Sequence, residues 1–587
     1  MNVKQELSII LKQAIEKSGY LFSGNVISFS NKPEVADFQS NVCFSLSKEY
    51  KKNPELIAND IISKISSDMF EFSFCNPGFI NIKLNDKAFS FYANNLITED
   101  EFGIEKFGNN EVVFLDYGGA NVAKELHMGH LRSPIIGEAI KRLYNLFGYK
   151  TISDTHLGDW GLQMGLTIAQ LEDDGYLDYY FKNVGKKPEI TLAMLNEEYP
   201  KASLRKKSDE AFKVKADNYT LWLQQRKQPY FDIWKDMREV SVKTIEKNYR
   251  DLNITFDLWN GESSVSMDDI NQTIQIFEKR GLTRISDGAL VVDVALPGEN
   301  VPIPKKCPND VQLYRNPMPP AIIKKHNGGE LYMTTDIATL RQRNKDYNPR
   351  KVLYITDNRQ KEHFIKLFRC AKMSGISPES QELIHVSFGT MNGKDGKPFK
   401  TRSGETIKLQ DVIDLISNKA QEKLEANGIK NNSALALSIG VGALKFGDLS
   451  NDVSKDYILD IDRFASFEGK TGPYIQYTIA RINSILAKAD VDCGTITITK
   501  PEEKEIVMNV MKLIESFKIS LDNLSLVSLT NALFTLAQSF SVFYNNIRIL
   551  NEVNVNVKKS YLSLITLVKK ALTFGLNILA IDAPEKM

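Results

Sequence analysis

The sequence predicts a multidomain α/β protein with a parallel sheet in its middle part and an all-α region at its C-terminal end. A chain of 587 residues is too long for one hydrophobic core, so we expect about three or four domains. Runs of β-type residues alternate with helical patterns in the middle of the chain, as they do in parallel sheets. Between Lys400 and Ala583 the only prolines are Pro473 and Pro501, which favours a bundle of long helices.

The composition is that of a globular protein, with 42% hydrophobic and 25% charged residues. No apolar run approaches the roughly 18 residues of a membrane span, and charged residues interrupt the N-terminal segment, which is not a signal peptide. The cysteines have no paired spacing, which suits a reducing cytosol and gives no zinc motif. A net charge of +1 neither favours nor excludes a nucleic-acid partner, because a local basic face is enough. We therefore expect a cytoplasmic protein without a membrane partner.

The N-terminal region begins with an amphipathic helix in MNVKQELSIILKQAIEKSGY and closes with the β-type run NPGFINIKL, which indicates an α+β domain. The apolar face of this helix is expected to comprise Leu7, Ile10, Leu11, Ala14 and Ile15. The expected domains are an α+β domain at 1–108, the parallel sheet at 109–398, a basic loop with connecting helices at 399–455, and an all-α domain at 456–587.

The parallel sheet is predicted from three runs of buried-strand composition: EVVFLDY (111–117), RKVLYITD (350–357) and ELIHVSFGTM (382–391). After the first run, HLRSPIIGEAIKRLYNLFG (130–148) has helical periodicity and stops at Gly148. About 190 residues separate the segment HLGDWG from the second run, far more than one crossover needs. Inserted modules are expected at roughly 165–250 and 279–330.

The segment GGANVAKELHMGHLRS (118–133) gathers His127 and His130, two of only six histidines, at the start of the predicted helix. A helix N-terminus directly after a strand of a parallel sheet binds anions, because free N–H groups and the helix dipole face the ligand. Gly129 allows a nucleotide to approach the backbone closely. We therefore predict that this segment binds nucleotide phosphates. Histidines that only pack the helix start are one alternative; a zinc site that includes His156 is another, but the carboxylate of a His-Glu-x-x-His motif is lacking.

A second basic element, MNGKDGKPFKTRSGETIKL (391–409), follows the strand pattern IHVSF. A glycine-containing cationic loop at the end of a strand can close over a triphosphate, although a solvated charged turn is the alternative. AKMSG (371–375) looks like a signature loop, but it ends a helical pattern and Gly375 fits as the cap of that helix. We interpret AKMSG as structural.

His-x-Gly-His after the first strand, together with a basic loop after the last, resembles the class I aminoacyl-tRNA synthetases and, within them, the arginyl-tRNA synthetases. DFQSN and NPGFINI resemble the N-terminal add-on domain of that family. The loop departs from the family's usual Lys-Met-Ser-Lys, because FKTR (399–402) stands there. Some arginyl enzymes with such a loop carry a lysine before the first histidine, as Lys124 does here. Further similar segments, in family order, are ANVAKELHMGHLRSPIIG, HLGDWGLQMG, LYMTTDIATL, TDNRQKEHF, FEGKTGPYIQY and LAIDAPEKM.

The resemblance implies a Rossmann-type catalytic domain and an anticodon-binding C-terminal bundle. It implies a ligase that activates L-arginine with ATP and Mg²⁺ and transfers it to tRNA(Arg), with activation that depends on tRNA, in a monomeric protein without a protein metal site. Residues at the family's catalytic positions are Lys124, His127, Gly129, His130, Lys397, Lys400 and Arg402; ATP would be bound by His127, Gly129, His130 and Lys400. Which of Lys124, Lys397 and Lys400 contacts pyrophosphate stays open.

The amino-acid substrate would be recognised by carboxylates, because a guanidinium is always charged and presents a planar fork of donors. The family pattern places Asp116, Tyr332 and Asp336 around the guanidinium, and Asn121 and Gln360 at the α-amino and carboxylate end. For tRNA it indicates Phe38, Gln39 and Asn41 near the elbow, and Tyr474, Tyr477, Arg481, Tyr544 and Met587 in the bundle. Core packing is the alternative for the tyrosines.

Two other functions stay open at this stage. One is a synthetase for another amino acid, or a small-molecule adenylyltransferase with the same His-x-Gly-His; the helical bundle and FEGKTGPYIQY argue against the adenylyltransferase. The other is a catalytically silent RNA-binding paralogue, against which the intact His127, Gly129 and His130 argue.

Overall fold

The computed structural model describes residues 2–299, 301–302, 314–315, 318–325, 332–393, 396, 407–426, 428–430 and 432–587. The chain forms two compact units. The first combines Met1–Glu105, Leu424–Lys430 and Ala465–Met587, and the second combines Lys106–Lys423 and Asn431–Phe464.

The strands, in chain order, are β1 (Ser28–Phe29), β2 (Phe38–Ser40), β3 (Phe70–Cys75), β4 (Phe79–Leu84), β5 (Val112–Tyr117), β6 (Lys150–Asp154), β7 (Thr283–Ser286), β8 (Ala289–Val292), β9 (Val301–Pro302), β10 (Tyr314–Arg315), β11 (Ala321–Lys324), β12 (Lys351–Asp357), β13 (Glu382–Phe388), β14 (Met391–Asn392) and β15 (Tyr457–Ile458). The helices are α1 (Val3–Lys17), α2 (Val42–Tyr50), α3 (Pro54–Ile62), α4 (Asp86–Thr98), α5 (Arg132–Leu146), α6 (Leu162–Asp173), α7 (Asp178–Lys182), α8 (Leu192–Arg205), α9 (Glu210–Gln224), α10 (Tyr230–Asp251), α11 (Met267–Lys279), α12 (Tyr332–Tyr347), α13 (Lys361–Met373), α14 (Leu409–Ala426), α15 (Ser433–Leu449), α16 (Ile461–Phe464), α17 (Gly472–Ala487), α18 (Pro501–Asn523), α19 (Val527–Asn546) and α20 (Val555–Ile578).

The first unit begins with the predicted amphipathic helix. In α1 the side chains of Leu7, Leu11, Ala14 and Ile15 are buried, whereas Ile10 is only half-buried at the margin of the apolar face. An antiparallel sheet of order β1-β2-β4-β3 follows, and the run predicted after NPG forms its strand β4. The α+β character predicted for this region is confirmed.

The same unit contains the helical bundle of α17, α18, α19 and α20. Helix α20, which was not predicted as a candidate span, is long and apolar enough to cross a membrane, but 67% of its most apolar window is buried inside the structure. Such burial is typical of a core helix. Helix α15 and most of α14, which fall within the basic loop and connecting helices expected at 399–455, belong to the second unit.

The second unit is built on a parallel sheet of order β13-β12-β5-β6. Its strands β5, β12 and β13 correspond to the three predicted runs, and β6 was not predicted. The register places Asp154, Asp116, Tyr354 and His385 side by side across the four strands, at the C-terminal ends of β6 and β5 and in the middle of β12 and β13. Aligned carboxyl ends are where ligands bind in sheets of this type.

The predicted strand 382–391 is shorter than expected, because the chain leaves the sheet at Gly389. The N–H of Gly389 donates to the carbonyl of Val453 (3.0 Å), and a β-carbon at this position would collide with the backbone of Lys455. The following residues, β14, pair instead with β15. Close backbone approach at a glycine therefore brings the start of the basic loop beside the end of the sheet.

Helices α8, α9 and α10 lie in the first region expected to be inserted, and the antiparallel sheet β11-β8-β7 lies in the second. The interpretation of AKMSG is confirmed: α13 ends at Met373, and Gly375 follows it with a positive φ of 68°.

Candidate active site

A cavity of about 830 Å³ opens at the carboxyl end of the parallel sheet. It is walled by the loop after β5, the turn before α5, and residues of α12 and α13. Predicted residues from separate parts of the chain thus meet in one place. Those in the lining are His127, Gly129 and His130 from the nucleotide prediction, and Asp116, Asn121, Tyr332, Asp336 and Gln360 from the arginine prediction.

The two histidines lie on a 3₁₀ turn, Met128–His130, so the helix predicted from residue 130 begins only at Arg132. The N–H of Gly129 donates to Nδ1 of His127 (3.0 Å), and the N–H of His127 donates to Nδ1 of His130 (3.1 Å). The ring centroids are 4.0 Å apart. Because each Nδ1 is an acceptor, each ring carries its proton on Nε2 and offers that atom as a donor.

The surroundings keep both rings neutral. Burial lowers the pKa of His130 to about 4, and the neighbouring His127 adds to the effect. Burial also lowers the pKa of His127, with further contributions from the charges of Lys124 and Arg359. The pair can therefore donate hydrogen bonds to phosphate oxygens at neutral pH without a charge of its own.

The chain that follows the basic loop is attached to this histidine segment. The N–H of Met128 donates to the carbonyl of Ile407 (3.0 Å), and the N–H of Leu409 donates to the carbonyl of Leu126 (2.9 Å). Lys408 also pairs with Glu125 at 2.6 Å. The loop's C-terminal end is thus fixed next to the histidines. The predicted cations of the loop, Lys397, Lys400 and Arg402, lie outside the described residues.

Lys124, the other cation predicted to act on phosphate, contacts an inserted helix. Its Nζ lies 4.4 Å from the ring centroid of Tyr199 in α8. A cation over an aromatic face is weakly stabilised there, so this contact leaves the ammonium available to a stronger anionic partner.

The other end of the cavity is acidic. Asp336 contacts His363 through Oδ2 and Nε2 at 2.6 Å, and Tyr332, four residues earlier on α12, is 68% exposed. Glu262, on the loop before α11, also lines the cavity. Burial raises the pKa of Glu262 to about 7, and the charges of Asp159 and Asp336 add to the rise. An added cation would relieve this accumulation of negative charge.

The carboxylate of Asp116 forms an ion pair within the protein itself. Arg343 of α12 contacts Oδ2 of Asp116 through Nη1 (2.7 Å) and Oδ2 of Asp154 through Nη2 (2.9 Å), and its guanidinium lies over Phe114. Only 5% of the Arg343 side chain is exposed. Asp116 also lines the cavity, so its predicted contact with a substrate guanidinium stays a prediction, beside an internal guanidinium that already pairs with Oδ2.

The predicted elbow residues differ in accessibility. Phe38 is completely buried in β2 and stacks on Phe29 (4.9 Å between centroids), so no base can reach its ring and its predicted contact with tRNA is wrong. Gln39 is half-buried and Asn41 is exposed.

In the bundle, three of the predicted residues form one cluster. The guanidinium of Arg481 lies 4.8 Å from the ring of Tyr477 and 5.4 Å from that of Tyr544, and Nη2 donates to the Tyr477 hydroxyl (3.1 Å). Tyr474 is half-buried and its hydroxyl is 3.0 Å from that of Ser541, so it also joins α17 to α19. Met587 is half-buried.

Comparison with known proteins explains why these features occur together. The family described as "tRNA synthetases class I (R), catalytic domain" matches residues 93–461, "DALR anticodon binding domain" matches 475–587, and "Arginyl tRNA synthetase N terminal domain" matches 5–84. A protein named arginine–tRNA ligase from Alkaliphilus oremlandii is 40% identical over 598 residues, which cover 99% of each chain. The chain belongs to the arginyl-tRNA synthetases.

Other relatives support the assignment of the chain to the arginyl-tRNA synthetases. An arginine–tRNA ligase from Agathobacter rectalis is 38% identical over 600 residues, covering 98% of each chain. Among solved structures, arginyl-tRNA synthetase from Plasmodium falciparum has a TM-score of 0.80 at 24% identity, covering 100% of this chain and 99% of that one. The Thermus thermophilus enzyme has a TM-score of 0.80 at 20% identity and full coverage of both chains, so the fold is shared throughout.

The synthetase's cavity contains residues that the sequence motifs did not single out. Arg343 and Asp336 are seven residues apart, which is about two helical turns, so their common face could have been inferred. His363 lies within the quoted segment TDNRQKEHF, but nothing in that segment says what it contacts. Glu262 lies in an irregular stretch without periodicity, and only the folded chain brings it to the cavity.

Proposed function

We propose that the cavity binds ATP and L-arginine side by side, and that arginyl-adenylate forms there before arginine is transferred to tRNA(Arg). The observation that carries this proposal is the polarity of one cavity, which has neutral Nε2–H donors at one end and carboxylates at the other. An oxygen of the arginine carboxylate attacks the α-phosphorus, the bond to the bridging oxygen breaks, and pyrophosphate leaves. A hydroxyl at the tRNA 3′-end then attacks the carbonyl carbon, and AMP leaves.

At the nucleotide end, His127 and His130 donate from Nε2 to phosphate oxygens, and Gly129 allows the phosphates close to the backbone. Negative charge on these oxygens increases as the α-phosphorus is attacked, so fixed donors stabilise the transition state more than the ground state. Lys124 and the loop residues Lys397, Lys400 and Arg402 neutralise the departing pyrophosphate. Mg²⁺ would accompany ATP, bound largely through the phosphate oxygens as is usual for this ion, and would help to neutralise their charge.

At the acidic end, the guanidinium of arginine contacts Asp336, Glu262 and Tyr332. A planar donor fork matches acceptors on more than one side, which a single ammonium does not. Asp116, whose Oδ2 pairs with Arg343, adds its carboxylate to the surroundings of the guanidinium. Asn121 and Gln360 contact the α-amino and carboxylate groups at the sheet end of the cavity.

Transfer RNA contacts the bundle through Arg481, Tyr477 and Tyr544, whose stacked guanidinium and rings suit unstacked loop bases. Gln39 and Asn41 contact the elbow, and Tyr474 and Met587 adjoin the anticodon surface.

The functional division is the one predicted from the sequence, with elbow contact in 1–108, catalysis in 109–398, the basic loop in 399–455 and anticodon binding in 456–587. We also propose that activation depends on tRNA and that the enzyme is a cytoplasmic monomer.

The test is ATP–pyrophosphate exchange and tRNA charging by the purified protein with each amino acid in turn. Arginine alone should support both reactions when tRNA is present. Stronger exchange with another amino acid would contradict the assignment of the acidic end. Tight tRNA binding without exchange under any condition would identify a silent RNA-binding paralogue.

A further inference from the structure

The carboxylate of Asp336 is held by an imidazole from the next helix. Nε2 of His363 in α13 lies 2.6 Å from Oδ2 of Asp336 in α12. Both side chains line the cavity and are partly exposed, by 25% and 29% respectively. In the described part of the chain, the carboxylate of Asp336 has no hydrogen-bond or ion-pair partner other than His363, which leaves Oδ1 available.

The imidazole itself is fixed by its neighbours. His363 lies in the first turn of α13, which follows β12 after the 3₁₀ turn Asn358–Gln360, and its ring stands edge-on to Phe364 (5.4 Å, 84°). Phe364 is buried and packs on Tyr354 and His385, with centroids 4.9 Å and 4.5 Å away. The sheet thereby determines where the Nε2 donor lies.

We propose that His363 is a positioning residue for arginine recognition, which occupies Oδ2 of Asp336 and presents Oδ1 to the substrate. This inference rests on the proposed role of Asp336. An unsupported aspartate rotates about two side-chain bonds, and ordering it on binding reduces affinity. A carboxylate already held in place avoids that loss, as supporting hydrogen bonds do in other preorganised sites.

The arrangement also bears on specificity. With Oδ2 of Asp336 held by His363, the guanidinium meets Oδ1, and its remaining N–H groups point toward Glu262 and Tyr332. A compact ammonium such as that of lysine cannot span acceptors on both sides.

The experiment compares His363→Leu, His363→Gln, Asp336→Asn and the double variant His363→Leu/Asp336→Asn in tRNA charging. Glu362→Gln is the matched control, since the neighbouring Glu362 carboxylate pairs with Lys366 (2.9 Å) on the same helix. Arginine KM, ATP KM, kcat and the melting temperature are measured for each. Loss of a charge-assisted hydrogen bond predicts an arginine KM about tenfold higher in His363→Leu, with ATP KM and kcat within about twofold of wild type.

Two further results separate positioning from packing. His363→Gln keeps a donor near the place of Nε2 and should recover arginine KM to within about threefold of wild type. In the Asp336→Asn background, His363→Leu should raise the arginine KM by less than about a further twofold, because His363 acts on arginine binding only by holding the Asp336 carboxylate. Three results would overturn the inference. The first is a double variant whose arginine KM rises by the product of the two single effects, and the second is an equal rise of arginine KM and ATP KM in His363→Leu. The third is an arginine KM in His363→Leu that matches that of Glu362→Gln. An unchanged arginine KM in Asp336→Asn would instead overturn the proposed role of Asp336, and the inference with it.

Discussion

His130 accepts a hydrogen bond at Nδ1 from the backbone N–H of His127 (3.1 Å), while His127 accepts one from Gly129 (3.0 Å). The backbone turn thus selects the tautomer of both rings, and burial lowers both pKa values. The result is a pair of neutral Nε2 donors whose orientation is determined before a nucleotide arrives. Donors that need no reorganisation are the kind that stabilise developing phosphate charge.

The first prediction concerns turnover. His130→Ala should lower kcat by about 10²-fold or more, because a preorganised donor is lost in the transition state, while arginine KM changes little. His130→Gln is the control, since its amide can donate from a position close to that of Nε2. If both His127→Ala and His130→Ala activated arginine at close to the wild-type rate, the proposed donation from these histidines to phosphate oxygens would be wrong.

The second prediction is a pH dependence of arginine binding. Burial raises the pKa of Glu262 to about 7, so below that pH Glu262 is mostly protonated in the enzyme without arginine. A bound guanidinium favours the ionised form of Glu262, so arginine binding should strengthen as the pH rises. Arginine KM should fall by roughly tenfold as the pH rises from about 6 to 8, and then level off. Glu262→Gln should bind arginine more weakly at pH 8 and lose this dependence. A wild-type KM that is constant over the range would argue against titration of Glu262 on binding.

The third prediction concerns stability. Arg343→Leu leaves the carboxylates of Asp116 and Asp154 buried without their cation, which should reduce the free energy of unfolding by about 3–5 kcal/mol. Lys243→Ala is the control; it removes an ion pair with Glu239 whose side chains are 72% and 65% exposed, and should cost less than about 1 kcal/mol. Urea unfolding of the full-length protein measures the free energy of unfolding of both variants. An equal decrease in the free energy of unfolding in the two variants would show that the ion pairs of Arg343 with Asp116 and Asp154 do not stabilise the sheet.

The fourth prediction is that activation requires tRNA. The basic loop lacks the Lys-Met-Ser-Lys form, and tRNA should favour its competent arrangement if it binds that state more tightly than the resting one. Pyrophosphate exchange should be low without tRNA and rise when tRNA with an oxidised, non-acceptor 3′-end is added. Equal exchange with and without tRNA would refute the coupling but not the family assignment.

Continuous apolar strands were predictable from the sequence, whereas the short polar strand was not. β5 and β12 are rich in buried Val, Ile and Leu, but β6 is KTISD, whose polar residues give no strand signal until the sheet surrounds them. The start of α5 was predicted two residues too early. Hydrogen bonds between the histidine side chains and the backbone stabilise a 3₁₀ turn at Met128–His130, and the α-helix begins only after it. Phe38 was misassigned because a motif position carries no information about burial.

Site chemistry was predictable where one helix or one turn carries it. His127 and His130 are neighbours in the sequence, and Tyr332 and Asp336 share a helix face. Contacts across the fold were not predictable: Asp336 and His363 are 27 residues apart, and Asp116 meets Arg343 only when β5 packs beside α12. Such pairs depend on tertiary packing, which periodicity does not report.

Whether the acidic end of the cavity recognises the guanidinium is tested most directly by the arginine KM and ATP KM of Asp336→Asn in tRNA charging. The substitution keeps the shape of the side chain and removes its charge. Asp346→Asn, at an exposed position of the same helix, is the control and should match wild type. Arginine KM in Asp336→Asn should rise at least about 30-fold, because a charge-assisted contact worth about 2–5 kcal/mol is lost, while ATP KM stays within about threefold. An unchanged arginine KM, or an equal rise in both constants, would contradict recognition of arginine by Asp336.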